Sequence, residues 1–315
     1  MAFESLLGNE QLKQNLSAAA AKNRFSHFYL ISGPSGAGKQ MLADLLAQTL
    51  MCTGENKPCG VCAHCRKVAS GSHPDYITVC DPDKKTVPVD LVREARESMF
   101  IRPNEGAHKV YLFPQELRVE GQNALLKILE EPPGYGVFIL LSDNPEKLLP
   151  TVRSRCTELK LQPVPPELLR PYLAQRFPDA SAELLDGAIR RSGGYVGQAM
   201  TLLSGDGQQP PQVEAFVQSF AARDAVGLLQ VLVPMERKPR DQAVSIFSAW
   251  KETLQDGLSC CSGMPPVSRF ARLLAGNRSS KDLLTAIRAL EKAMEYAQGN
   301  VSVAAICGWL AQTLR

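Results

Sequence analysis

The chain runs to 315 residues, 44% hydrophobic and 21% charged, which is room for two or three domains with separate cores and excludes a disordered or low-complexity protein. Its formal net charge of +3 permits a nucleic-acid partner without arguing for one, because the placement of cations matters more than their total. No stretch approaches the ~18 uninterrupted apolar residues of a membrane helix, and Met1-Ala2-Phe3-Glu4 lacks a basic and apolar leader, so a cytoplasmic protein without a membrane partner is expected.

Leu12, Leu16 and Ala19/Ala20 recur at helical spacing and predict a helix over 8–22. Residues 27–32 (HFYLIS) read as a short buried strand running into Gly33-Pro34-Ser35-Gly36-Ala37-Gly38-Lys39. A helix follows over 41–50, with Leu42, Leu45, Leu46 and Thr49 three or four residues apart. Strand, glycine loop and helix in that order are the context of a phosphate-binding loop. Its last position departs from the pattern: Gln40 stands where a Ser or Thr hydroxyl helps coordinate Mg²⁺. Gly33, Gly36, Gly38 and Lys39 can still hold phosphates through backbone N–H groups, a helix N-terminus and an ammonium. ATP or ADP can therefore bind, with occupancy left open, whereas Mg²⁺ is not expected.

Of nine cysteines, four fall at Cys52, Cys59, Cys62 and Cys65. C-x₂-C pairs close around zinc in a turn, and Pro58 and Gly60 supply turn chemistry. Four thiolates complete a tetrahedral shell, so the expected site is a structural zinc module over about 52–65, with His64 an alternative ligand inside it. Lys57, Arg66 and Lys67 nearby read as a solvated face more readily than as a nucleic-acid surface. The remaining cysteines, Cys80, Cys156, Cys260, Cys261 and Cys307, read as reduced thiols.

Residues 76–79 and 109–113 read as strands, 121–131 as a helix stopped by Pro132-Pro133, and 137–141 (VFILL) as a buried strand. Apolar strands separated by helices imply a parallel sheet covered on both faces. A P-loop ATPase needs an acidic residue where the 109–113 strand ends. Pro114-Gln115-Glu116 stands there instead, leaving only Glu116 as a displaced acid. Two separate losses thus agree in their chemical consequence, against an active ATPase. Ser154-Arg155-Cys156 follows the last buried strand; by itself that arginine reads as a surface cation. A proline-rich stretch over 161–166 marks a boundary, and a second linker lies at 204–211. The expected order is an α/β core over 1–163, a small helical lid over 164–207 and a helical collar over 208–315, without internal repeats.

Over essentially its whole length the chain resembles the clamp-loader AAA+ proteins of bacterial replication, most closely the delta-prime branch of DNA polymerase III. Phe3-Glu4-Ser5-Leu6-Leu7-Gly8-Asn9 is similar to the family's opening. The four-cysteine insertion directly after the P-loop helix has the family's placement. The block Gln122-Asn123-Ala124-Leu125-Leu126-Lys127-Ile128-Leu129-Glu130-Glu131-Pro132-Pro133 is similar to one that recurs across the family and is far more specific than the P-loop.

The resemblance implies a subunit of a hetero-pentameric ring containing gamma/tau and delta. It implies that Arg155 of the Ser-Arg-Cys motif acts as an arginine finger in trans, completing a neighbour's ATP site while the ring loads a sliding clamp on primed DNA. It also implies zinc on the four cysteines, a nucleotide-sensing stretch near Ser142-Asp143 and a C-terminal collar for assembly. Gln40, Pro114-Gln115, and Gly197 in place of a second sensor arginine set the chain apart from active members and favour a non-hydrolysing subunit. The alternative is an active gamma/tau-like ATPase using Glu116; a zinc-dependent DNA-binding module is a third reading.

Overall fold

Every residue of Phe28–Ser32 is buried, and this run forms the interior strand β1 of a five-stranded parallel sheet, paired on both sides. The computed structural model describes residues 3, 5–204, 211–266, 268, 270–299 and 301–314. The elements of the first part are α1 (Glu10–Ala21), β1, α2 (Lys39–Met51), α3 (Ala63–Ala69), β2 (Tyr76–Thr78), β3 (Thr86–Val87), α4 (Val89–Ser98), β4 (Lys109–Phe113), β5 (Glu116–Leu117), α5 (Val119–Glu130), β6 (Gly136–Ser142), α6 (Pro150–Arg153) and β7 (Thr157–Lys160). The main sheet has the order β2-β4-β6-β1-β7, and β3 pairs with β5 in a separate two-stranded sheet.

Alternation along the three fully buried strands sorts side chains onto two faces. Tyr29, Ile31, Val110, Leu112, Val137, Ile139 and Leu141 join one apolar cluster, with α2 supplying Leu42, Leu46 and Leu50. Phe28, Leu30, Tyr111, Phe113, Phe138 and Leu140 join the other, with α4 and α5 supplying Val92, Leu125 and Ile128. Pairing Phe28 with Phe138 and Phe138 with Tyr111 holds this sorting. A slip by one residue would exchange the faces of a whole strand. Each such side chain contributes about 1.5–3 kcal/mol on full burial. The expected sheet covered on both faces is therefore present.

Several elements carried no clear sequence signal. The edge strand β7 buries only Leu159, because Thr157, Glu158 and Lys160 face outward or lie at the rim. In α4 the apolar positions Val92 and Ala95 are diluted by charges. Lys109 opens β4 yet is only 5% exposed. Its ammonium donates to the carbonyls of Ser98 (2.7 Å) and Ile101 (3.3 Å), capping the end of α4, where a cation also meets the helix dipole.

The chain divides into two compact units, residues 1–168 with 195–198, and residues 169–194 with 199–315. The second consists of helices: α7 (Pro166–Arg176), α8 (Ala182–Arg191), α9 (Val196–Ser204), α10 (Pro211–Ala221), α11 (Ala225–Leu232), α12 (Arg240–Cys261), α13 (Ala271–Asn277), α14 (Ser280–Gln298) and α15 (Val303–Thr313), the first and third of these beginning in the other unit. Trp250 of α12 anchors the core of this unit, stacked on Phe216 at 4.2 Å between ring centroids. Buried Asp256 pairs with Arg191 of α8 at 3.4 Å and accepts the Ser268 backbone N–H at 2.6 Å. Of the linker expected at 204–211, residues 205–210 lie outside the described residues. No helix among the described residues is long and apolar enough to cross a membrane.

Asp75, fully buried just before β2, organises the loop entering β4. Its carboxylate accepts backbone N–H groups of Asn104 (2.6 Å), Glu105 (2.8 Å) and Gly106 (2.8 Å), and the Asn104 amide at 3.1 Å. Burial opposes its ionisation, but these bonds prevail and hold its pKa below the usual carboxylate range. A depressed folded pKa adds stability in full above the unfolded value near 4, and that stability is lost as pH falls through the folded pKa. Asp75→Asn is expected to lower unfolding stability at pH 7 by about 2–4 kcal/mol, since an amide cannot replace all of these charge-assisted bonds. Urea titrations of the two proteins at pH 7 and pH 3 should show the gap narrowing in acid.

Candidate nucleotide, arginine and metal sites

The carboxyl ends of the parallel strands share one edge, the place where α/β sheets bind ligands. The glycine loop follows β1, Asp143 follows β6, and Pro114-Gln115 follows β4. Gly38 caps α2 with φ +94°, so the helix begins at Lys39. The Lys39 ammonium donates to the Gly33 carbonyl (2.7 Å), the Pro34 carbonyl (3.0 Å) and the Asp143 carboxylate (2.5 Å). An ammonium has three N–H donors. All three are thus taken by the protein, and a phosphate must displace one of them to reach this lysine.

Gln40 is engaged elsewhere. Its amide donates to Asp44 one turn along α2 at 2.9 Å, and Tyr76 donates to the same carboxylate oxygen at 2.7 Å. The side chain in the magnesium-ligand position thus serves a surface network of α2 and β2. Gln115 likewise bridges backbone: its amide nitrogen donates to the carbonyls of Asp81 (2.8 Å) and Lys84 (2.6 Å), and its oxygen accepts the Asp81 N–H at 3.1 Å. Glu116 pairs with Lys147 at 2.7 Å. Asp143, in the stretch expected to sense nucleotide, grips the loop's own lysine.

Residues 195–198 belong to the same unit as the glycine loop and touch it directly. The Gly197 N–H donates to the Gly36 carbonyl at 2.9 Å, and the Gln198 amide donates to the Ser35 carbonyl at 2.7 Å. A Cβ at position 197 would lie 2.7 Å from the Gly36 oxygen, and one at position 36 would lie 2.7 Å from the Gln198 nitrogen. Gly36 also has φ +76°, which glycine alone adopts freely. Gly197 is therefore required by close backbone approach, a reason that motif reading did not supply.

Arg155 follows α6 and is 36% exposed. Its guanidinium donates to the Thr151 carbonyl and to the Glu130 carboxylate, each at 2.8 Å. Glu130 belongs to the specific block quoted above, but nothing in sequence spacing links it to Arg155.

The thiols of Cys52, Cys59, Cys62 and Cys65 lie within 4.8 Å of one another. Backbone N–H groups point at the sulfurs: Gly54 and Cys59 donate to Cys52 Sγ (3.3 and 3.4 Å), Cys62 to Cys59 Sγ (3.3 Å) and Cys65 to Cys62 Sγ (3.4 Å). The Cys62 and Val61 N–H groups push the Cys59 thiol below its ordinary range. Burial resists ionisation of Cys62, yet hydrogen bonds from the Cys65 and Thr53 backbone and from neighbouring thiols bring it down to about 6. Burial pushes Cys52 and Cys65 up. Two thiols poised to ionise and two that need a cation to do so form a donor set that fits zinc.

His64, His73 and Glu105 form a second cluster beside it. The His73 Nδ1 accepts the Asp75 N–H at 3.1 Å, so its proton sits on Nε2 and is donated to His64 Nδ1 at 2.9 Å. Glu105 is already paired with Lys67. With the facing nitrogens hydrogen-bonded to each other and the carboxylate paired with Lys67, this cluster braces α3 against the β2 entry.

A glycine loop between the first buried strand and a helix, at the carboxyl edge of a parallel sheet, defines a P-loop protein. The chain belongs to the family described as DNA polymerase III, delta subunit, whose model matches residues 8–165, half of its length. It is similar to the DNA polymerase III subunit gamma/tau of Mycobacterium tuberculosis, 36% identical over 211 residues, covering 64% of this chain and 36% of that protein. It is 38% identical over 185 residues to the subunit delta' of Pseudomonas aeruginosa, covering 56% of each. It is also 35% identical over 226 residues to the subunit delta' of Escherichia coli, covering 70% of this chain and 67% of that one. The chain spans little more than a third of the gamma/tau relative's length.

Gly197→Ala forces a methyl group against the Gly36 carbonyl. A loss of about 1–3 kcal/mol is expected from such overpacking, read by denaturant unfolding, whereas Ala at the open helical position Gly276 should be neutral or stabilise by up to about 1 kcal/mol.

Proposed function

We propose that this chain is a clamp-loader subunit that does not hydrolyse ATP and lends Arg155 to the ATP site of a neighbouring subunit in a hetero-pentamer. That ring would contain gamma/tau and delta and would place a sliding clamp on primed DNA. Family membership supports the assembly. The observation that carries the division of labour is the phosphate loop itself: Lys39 has each N–H bonded within the protein, and Gln40 is turned onto Asp44. Magnesium has no hydroxyl ligand there, and the β4 end supplies proline and a backbone-bridging glutamine.

The chemistry left to the chain is electrostatic. Partly exposed Arg155 presents delocalised positive charge, which stabilises the charge that develops on a phosphoryl group in transfer. Zinc, when bound, neutralises and fixes the Cys52, Cys59, Cys62 and Cys65 thiolates, tying α3 to the end of α2 without taking part in catalysis. The reading of Glu116 as a displaced catalytic acid draws no support from its pairing with Lys147.

The purified chain is expected to turn over no ATP, and Lys39→Ala should change nothing. Mixed with an ATP-hydrolysing gamma/tau partner and delta, it should raise turnover, and Arg155→Ala should lower the rate at the completed site by about 10³. The same substitution should barely alter unfolding of the lone chain, because an exposed ion pair is worth about 0–1 kcal/mol. Brisk, Lys39-dependent hydrolysis by the lone chain would overturn the proposal.

One zinc per chain is expected by elemental analysis. Cys59→Ser or a strong chelator should remove it and lower the thermal midpoint while Arg155-dependent stimulation persists in part. Salt-sensitive DNA binding lost with Cys59→Ser would instead favour a zinc-dependent DNA module.

A further inference from the structure

Arg155 is held from two sides before any partner arrives. Its Nη1 donates to the Thr151 carbonyl in α6, and its Nη2 donates to Glu130 at the last residue of α5, both at 2.8 Å. The helix that carries the carboxylate is fixed. Leu125 and Ile128 bury the inner face of α5, Glu131 caps it, and Pro132-Pro133 ends it. α6 packs against α5, so acceptor and donor share one rigid frame.

The placement of Glu130 also breaks a local rule. Carboxylates at a helix C-terminus face the negative end of the dipole and are disfavoured there by about 0.3–1 kcal/mol. Local rules are broken most often at functional positions. Here the violation puts an anion where the guanidinium of Arg155 can use it.

A guanidinium has five N–H donors. Thr151 takes one and Glu130 another, which leaves three for an external anion. Arg155 can therefore be gripped from behind and still offer a fork to phosphate oxygens.

We infer that Glu130 is a positioning residue for the arginine finger: it orients Arg155 within this chain so that its free N–H edge meets the neighbouring subunit's phosphate. This inference rests on the proposed role of Arg155 and adds the residue that aims it. Because binding of ATP belongs to the neighbour, Glu130 should affect the rate of the chemical step and not the affinity for nucleotide. The pair is half exposed, with Glu130 54% accessible, so the expected effect is modest.

The test measures steady-state ATP turnover of the full assembly, with this chain present as wild type, Glu130→Ala, Glu130→Gln, Arg155→Ala and Arg155→Ala/Glu130→Ala. Glu130→Ala is expected to lower kcat about two- to fivefold with KM for ATP unchanged. Glu130→Gln, whose amide oxygen still accepts from Nη2, should lose less. In the Arg155→Ala background, removing Glu130 should have no further effect, since residues acting through one another are not additive. Thermal midpoints of the lone variants identify any that misfold. An equal loss with and without Arg155 would make Glu130 merely structural and overturn the inference, as would a rise in KM without a fall in kcat. A neutral Glu130→Ala beside a crippling Arg155→Ala sinks this inference alone. A neutral Arg155→Ala sinks the finger reading, and this inference with it.

Discussion

The parallel pairing of β1 with β6 is the constraint on which the candidate sites depend. It runs in register from Phe28–Phe138 to Ser32–Ser142. It therefore delivers the glycine loop and Asp143 to the same edge of the sheet, side by side. The Gly33 N–H continues the ladder by bonding the Ser142 carbonyl at 3.2 Å. The alternating side chains make this register expensive to change, because each one-residue slip would turn Phe28, Leu30 and their partners to the wrong cluster. Packing far from the loop thereby sets the distance over which Lys39 can reach Asp143.

Around that loop, departures from an ATPase pattern are matched by positive structural uses. A catalytic residue that is merely lost leaves an unemployed side chain. Gln40 bonds Asp44, Gln115 holds the 81–84 turn, and Gly197 lets backbone meet backbone over Gly36. The P-loop lysine is satisfied by two carbonyls and a carboxylate. A partly buried ammonium needs such partners, and here they come from the chain itself. The loop has the geometry of a strut as much as that of a cradle.

The cysteine module is tied to the same core by a different chemistry. Cys65 and Val68 of α3 are buried, and His64 on the same helix accepts a hydrogen bond from His73, whose ring is fixed by the Asp75 backbone. Asp75 in turn holds the loop into β4. A bound metal would thus stiffen a helix that already leans on the sheet, which fits a structural role better than an independent binding finger.

Much of this was legible in the sequence. The buried strands Phe28–Ser32, Lys109–Phe113 and Gly136–Ser142, the P-loop and its missing hydroxyl, and the thiol spacing all depend on local pattern, and local pattern is written along the chain. The edge strand Thr157–Lys160 and the charged helix Val89–Ser98 were not legible, since one buried face among polar residues resembles a loop. What only the tertiary structure decided was pairing: Lys39 with Asp143, Arg155 with Glu130, Gly36 with Gly197, and the His73 tautomer set by the Asp75 backbone. Each joins residues 25 to 161 positions apart, apart from the short His73–Asp75 link. Sequence specifies which groups exist and which face they take, but hydrogen bonds act over about 3 Å, and only the folded sheet brings those groups within that reach.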